Sequence, residues 1–98
     1  MNNETGLKLM VECERLNIFL SRNQLVQANA IAQKLENMLL EIAMTESKPE
    51  TLESHPLWAA RRAAYFTMSE LLNGRTKEAV DEANKLFDLM RAPAEVSK

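Results

Sequence analysis

A chain of 98 residues is long enough for one hydrophobic core and too short for two independent domains. With 46% hydrophobic and 27% charged residues it is too apolar to stay disordered, and a net charge of -2 gives no general field to hold it on nucleic acid or an anionic membrane. The single cysteine, Cys13, excludes an internal disulfide framework and points to a reducing, cytoplasmic setting.

The opening segment "MNNETGLKLM" is polar and then amphipathic, without the basic region and continuous apolar stretch of a secretory signal. No run approaches the ~20 apolar residues needed to cross a bilayer. Period-two alternation is absent, so the expected fold is all-α: a small four-helix bundle of two antiparallel helical hairpins in a single domain over residues 1–92. Apolar periodicity predicts helices at 5–21, 24–44, 56–73 and 75–91, a polar linker at 45–55 and a flexible tail over 93–98.

In the first predicted helix Leu9, Cys13, Leu16 and Leu20 form a core stripe, while Leu7, Val11 and Ile18 form a second stripe on nearly the opposite side. Only "SRNQ" separates this helix from the next, with Ser21 or Asn23 available as a cap and no glycine or proline. Two separate helices and one bent helix of about forty residues both satisfy that pattern. The second helix is apolar on one side, through Ala28, Ala32, Leu35 and Leu39. For the third, Ser54 is the expected N-cap and Pro56 suits the first turn, where its missing N–H leaves no bond unmade. Its core stripe is Leu57, Ala60, Ala64, Met68 and Leu71, flanked by Trp58 and Tyr65, with Phe66 and Ala59 pointing away. Gly74 then closes the helix in a left-handed turn, and a one-sided fourth helix follows with Ala79, Ala83, Leu86, Phe87 and Met90 inward.

A shift of fifty-one positions superimposes Asn23 on Gly74, Ala28 on Ala79, Ala32 on Ala83, Lys34 on Lys85 and Leu35 on Leu86. Small residues one turn apart let a neighbouring helix approach closely, so the echo is expected of two helices obeying one packing rule. The second hairpin, "YFTMSELLNGRTKEAVDEANKLF", resembles a tetratricopeptide unit in its glycine followed five residues later by alanine. It departs from that pattern where Ala63 takes the tryptophan position, Phe66 and Thr67 the leucine-glycine pair, and Glu70 the tyrosine. What the resemblance implies is therefore limited to hairpin geometry.

Catalysis requires convergent titratable or nucleophilic groups, and the chain offers few. His55, the sole histidine, stands before Pro56 and is expected at a helix start or in solvent. Cys13 lies on a core stripe and reads as a small buried hydrophobe; the two together fall short of a zinc ligand set. Glu12, Glu14, Asp81, Glu82 and Asp88 read as solvated charges. There is no phosphate-binding glycine loop or nucleophile elbow. We expect no catalytic residues, cofactor, metal or small-molecule substrate.

The expected function is non-catalytic docking on a protein partner, as an adaptor, an assembly or secretion chaperone, or a small inhibitor of a larger complex. The candidate contacts are Leu7, Val11 and Ile18 in the first helix and Trp58, Arg61, Arg62, Tyr65 and Phe66 in the third. Tryptophan, tyrosine and arginine dominate interface hot spots, and contiguous exposed apolar patches mark contacts. The same stripes also suit a homodimer. The alternative is a dimeric helix-turn-helix-like DNA-associated regulator using Arg61, Arg62, Arg75 and Lys77, although Asp81, Glu82 and Asp88 on the would-be reading helix oppose phosphate.

Overall fold

The computed structural model describes residues 3–46 and 48–96. It contains α1 (Asn3–Ser21), α2 (Leu25–Glu46), α3 (Pro56–Leu72) and α4 (Thr76–Val96), with a short 3-10 helix over Pro49–Ser54 between α2 and α3. No strand occurs among the described residues. The expected all-α bundle is thus the observed fold.

The helices follow one another around the core. Each packs against the next in sequence and α4 returns against α1, while the backbones of the diagonal pairs stay more than 8 Å apart, so the four close into a ring around a shared core rather than an open stack of hairpins. Residue size governs how tightly each seam closes. Helix α3 faces the core with Ala60, Ala63 and Ala64, and its neighbours α2 and α4 make the most extensive contacts. Helix α1 presents Leu9, Leu16 and Leu20 instead, and its seams are looser, most of all the one with α4.

The fifty-one-residue correspondence extends beyond the helices that first showed it. Buried Leu9, Cys13, Leu16 and Leu20 of α1 match buried Ala60, Ala64, Thr67 and Leu71 of α3; Ala28, Ala32, Leu35 and Leu39 of α2 match Ala79, Ala83, Leu86 and Met90 of α4. Both hairpins therefore bury the same positions. Where the hydroxyl of Thr67 replaces Leu16, it donates to the Ala63 carbonyl at 2.8 Å, so no polar atom is left unpaired there.

Three local expectations are resolved. Helices α1 and α2 are separate, because Asn23 adopts a left-handed backbone, φ 57°, that ends the helical hydrogen-bond ladder without glycine or proline. The cap of α3 is His55 rather than Ser54: its Nδ1 accepts from the Leu57 N–H at 3.0 Å, with Pro56 next in the chain. The 3-10 turn ends at Ser54, which leaves the extended residue, φ -65° and ψ 136°, at His55. Finally, α4 continues to Val96, so the backbone of the expected tail is helical to that residue. Residues 97 and 98 of that tail lie outside the described residues.

Candidate docking surfaces

On α1 the outward stripe lies as its spacing requires. Leu7 is 67% exposed, Val11 48% and Ile18 46%, while Leu9, Cys13 and Leu16 on the other side are fully buried. Leu7 and Val11 also border a groove between α1 and α2, about 350 Å³ in volume, whose other walls include Lys8, Glu12, Lys34 and Met38. A second hollow of about 480 Å³, lined by Glu41, Ile42 and Glu46, shares Lys8 and Met38 with it.

Glu12 departs from expectation. Its carboxylate is buried, only 6% of the residue being exposed, although the sequence reads it as solvated. One oxygen, Oε1, accepts from Lys34 Nζ at 3.2 Å and lies 3.5 Å from Arg15 Nη1. The other, Oε2, has no hydrogen-bond partner. Beside it, burial and then the charges of Glu12 and Glu14 push the Cys13 thiol up to about 12, which makes it an unreactive core residue.

On α3 the outward face combines aromatics with cations. The guanidinium of Arg61 lies over the Trp58 ring, 4.9 Å from its centroid, and Nη2 donates to Glu36 Oε1 of α2 at 3.3 Å. Tyr65 and Phe66 meet edge to face at 5.7 Å, both exposed. Arg62 is exposed beside them. The stripe continues seven residues on to Leu72, 73% exposed, which with Val26, Leu25 and Leu71 forms a small apolar groove against the start of α2. Leu72 and Val26 are absent from the sequence-derived candidates. Their helix-end positions carry no periodic signal, since one turn of helix does not establish a face.

No Cα atom of α1 lies within 8 Å of one in α3, so the eight predicted contact residues fall on the outward faces of two diagonally opposed helices rather than on one surface. Trp58, Arg61, Arg62, Tyr65 and Phe66 come together on α3; Leu7, Val11 and Ile18 stand alone on α1.

The basic cluster considered for DNA is partly neutralised. Arg61 serves Glu36, and Arg75 makes a bidentate pair with Glu70 at 2.6 and 2.8 Å. This hydrogen bonding holds the Glu70 carboxyl below the usual carboxylate range and raises Arg75. Arg62 and Lys77 remain exposed, a small number beside the phosphate contacts of a strong DNA binder.

No group of three or more histidine, cysteine, aspartate or glutamate residues suited to a metal occurs among the described residues, and none of the described helices is long and apolar enough to cross a membrane. Comparison with protein families, curated proteins and solved structures found nothing that matches the chain.

Proposed function

We propose that the chain is a non-catalytic docking module that binds a larger protein through its helical surfaces, as an adaptor, assembly chaperone or small inhibitor would. One observation carries the reading: other residues form the buried core, and Leu7, Val11 and Ile18 on α1 and Tyr65, Phe66 and Leu72 on α3 stay exposed. Burying a large apolar side chain contributes roughly 1.5–3 kcal/mol, so six left in water represent stabilisation available to a partner. The arginine held over Trp58 adds a hot-spot chemistry to the second surface.

A benzophenone amino acid placed at Val11 or at Tyr65 tests this in the native cell. The expected result is a discrete adduct with a different protein, lost on Val11→Glu with Ile18→Glu or on Tyr65→Ser respectively. Light scattering separates that outcome from self-association. A strictly monomeric protein that forms no adduct from either position overturns the proposal.

A further inference from the structure

Asn23 and Gly74 are the left-handed residues of two equivalent turns, but different chemistry holds each turn shut. At the second, glycine enters the left-handed state without a Cβ, and Arg75 reaches across the turn to Glu70 in its bidentate pair. At the first, Gln24 and Phe19 stand where the arginine and the glutamate would be, so no ion pair spans it. Only backbone bonds close it.

The straightened states differ as well. Glycine inside a helix is unfavourable, which opposes a continuous α3–α4 helix, whereas "SRNQ" contains no residue that breaks one. The first intrahelical bond of α2 is Ala28 N–H to Gln24 O. Straightening the first turn would bring the three preceding N–H groups, of Leu25, Val26 and Gln27, onto the carbonyls of Ser21, Arg22 and Asn23. The helix released by such an opening is α1, which has the looser seams, above all with α4.

Two copies opened in this way complement each other. Helix α1 now runs antiparallel to α2; two continuous helices over residues 3–46, each about 66 Å long, would cross antiparallel near residue 23 and set the α1 of each copy on the α2 and α4 of the other. The core contacts of Leu9, Cys13, Leu16 and Leu20 are remade there, as is the Glu12–Lys34 pair. The two bundles then abut at their turn ends. That end carries Val26 and Leu72, at 82% and 73% the most exposed large apolar residues of those described, and a second copy would cover them.

We propose that this chain dimerises by exchanging α1: the turn at Asn23 opens, residues 3–46 become one helix, and α1 packs into a second copy in the place it fills within its own. Exchange of this kind is independent of the docking reading. Because the inward contacts of α1 are unchanged, Leu7, Val11 and Ile18 keep their outward face, and the dimer carries that stripe twice.

Pulsed electron spin resonance on a chain with nitroxide labels at Lys8→Cys and Glu41→Cys tests it, in a Cys13→Ala background for which Ala64 is the buried precedent. Labelled chain is diluted into unlabelled chain so that only distances within one copy are read, and light scattering sorts monomer from dimer. Lys8 and Glu41 line one hollow in the closed chain and stand about 50 Å apart along a continuous helix. The short distance is expected in the monomer and the long one in the dimer. Each dimer opens two turns, so a change at Asn23 acts twice: Asn23→Ala should strengthen association at least about tenfold and Asn23→Gly weaken it by a similar factor, with Gly74→Ala neutral. A dimer that shows only the short distance, dimerisation promoted as much by Gly74→Ala as by Asn23→Ala, or a parent and an Asn23→Ala variant that both stay monomeric at high concentration overturns the proposal. If Asn23→Ala does not fold, the parent decides alone, by the long distance in its dimer or by the lack of any dimer.

Discussion

Asn23 and Gly74 stand at the same position of the two hairpins and share one backbone state, φ 57° and φ 74°. The surrounding bonds repeat one for one. Gln24 N–H donates to Phe19 O and Arg75 N–H to Glu70 O, both at 2.8 Å; Asn23 N–H donates to Leu20 O and Gly74 N–H to Leu71 O, both at 3.1 Å. Each first helix thus ends in the same Schellman closure, and the second helix restarts with Ala28 N–H donating to Gln24 O and Ala79 N–H to Arg75 O, both at 3.0 Å. Two turns of different sequence reach one geometry because asparagine, among the residues with a side chain, enters the left-handed region at low cost.

That equivalence predicts matched substitutions. No atom lies within 4 Å of a Cβ added at Gly74, so Gly74→Ala meets only the backbone penalty, about 1–2 kcal/mol. Asn23→Ala should cost a similar amount, Gly74→Asn less than Gly74→Ala, and Asn23→Gly should fall within about 1 kcal/mol of the parent. Urea unfolding of the four variants checks the ordering. A Gly74→Ala protein as stable as the parent contradicts it.

The helices were legible because every core position recurs at helical spacing, down to the doubly apolar faces of α1 and α3. The stop at Asn23 was half legible: separate helices at 5–21 and 24–44 were expected, but one bent helix satisfied the same pattern, since a left-handed asparagine leaves no mark in composition. The capping by His55 was not legible: its imidazole does work usually assigned to serine or aspartate. The outward stripe of α1 was readable from its wheel, whereas the burial of Glu12 depends on how α2 lies across α1, which no local pattern records. The same holds for the separation of the two surfaces: the sequence places residues on faces of helices but does not say which helices stand diagonally opposed.

The His55 cap offers a test of how α2 is joined to α3. Its Nδ1 receives the Leu57 N–H, and Nε2 lies 2.8 Å from Glu46 Oε1, so one ring serves the start of α3 and the end of α2. Those partners select the tautomer with hydrogen on Nε2. Replacing it by alanine should lower stability by roughly 0.5–2 kcal/mol, and asparagine or aspartate should recover most of that by accepting the same N–H. The measurement is equilibrium unfolding of the three variants; equal loss in all of them would mean that the Glu46 contact, not the cap, is the important one.

Cys13 makes the fold sensitive to alkali. A thiol whose folded value is raised from 9.0 to about 12 is neutral in the folded chain while the unfolded chain ionises. Its contribution to stability is therefore fully present below pH 9 and is lost as pH rises through about 12. Between those limits the parent should lose stability relative to Cys13→Ala, at up to about 1.4 kcal/mol per pH unit. Alanine is a fair control because Ala64 holds the equivalent buried position. Below pH 9 the folded thiol should react with a disulfide reagent far more slowly than in the unfolded chain, and the gap should close as pH approaches 12, since the thiolate is the nucleophile. Parallel alkaline profiles for the two proteins would contradict the burial of this thiol.

The last prediction separates what holds the bundle together from what it offers to others. Leu16 and Leu35 are fully buried in the central cluster, so truncating either to alanine should cost about 2–5 kcal/mol, a large share of the stability of a domain this small. Val11, Ile18, Tyr65 and Leu72 are as apolar but exposed, and replacing them by lysine or serine should change stability by no more than about 0.5 kcal/mol each. If these residues are partner contacts, the same surface substitutions should abolish the Val11 or Tyr65 cross-links while leaving the melting curve in place. Thermal denaturation followed by circular dichroism, run beside the cross-linking, gives both readings from one set of variants. A surface variant that unfolds as readily as Leu35→Ala would show that its apolar stripe belongs to the core after all, and that the α1 or α3 surface in question is not a docking face.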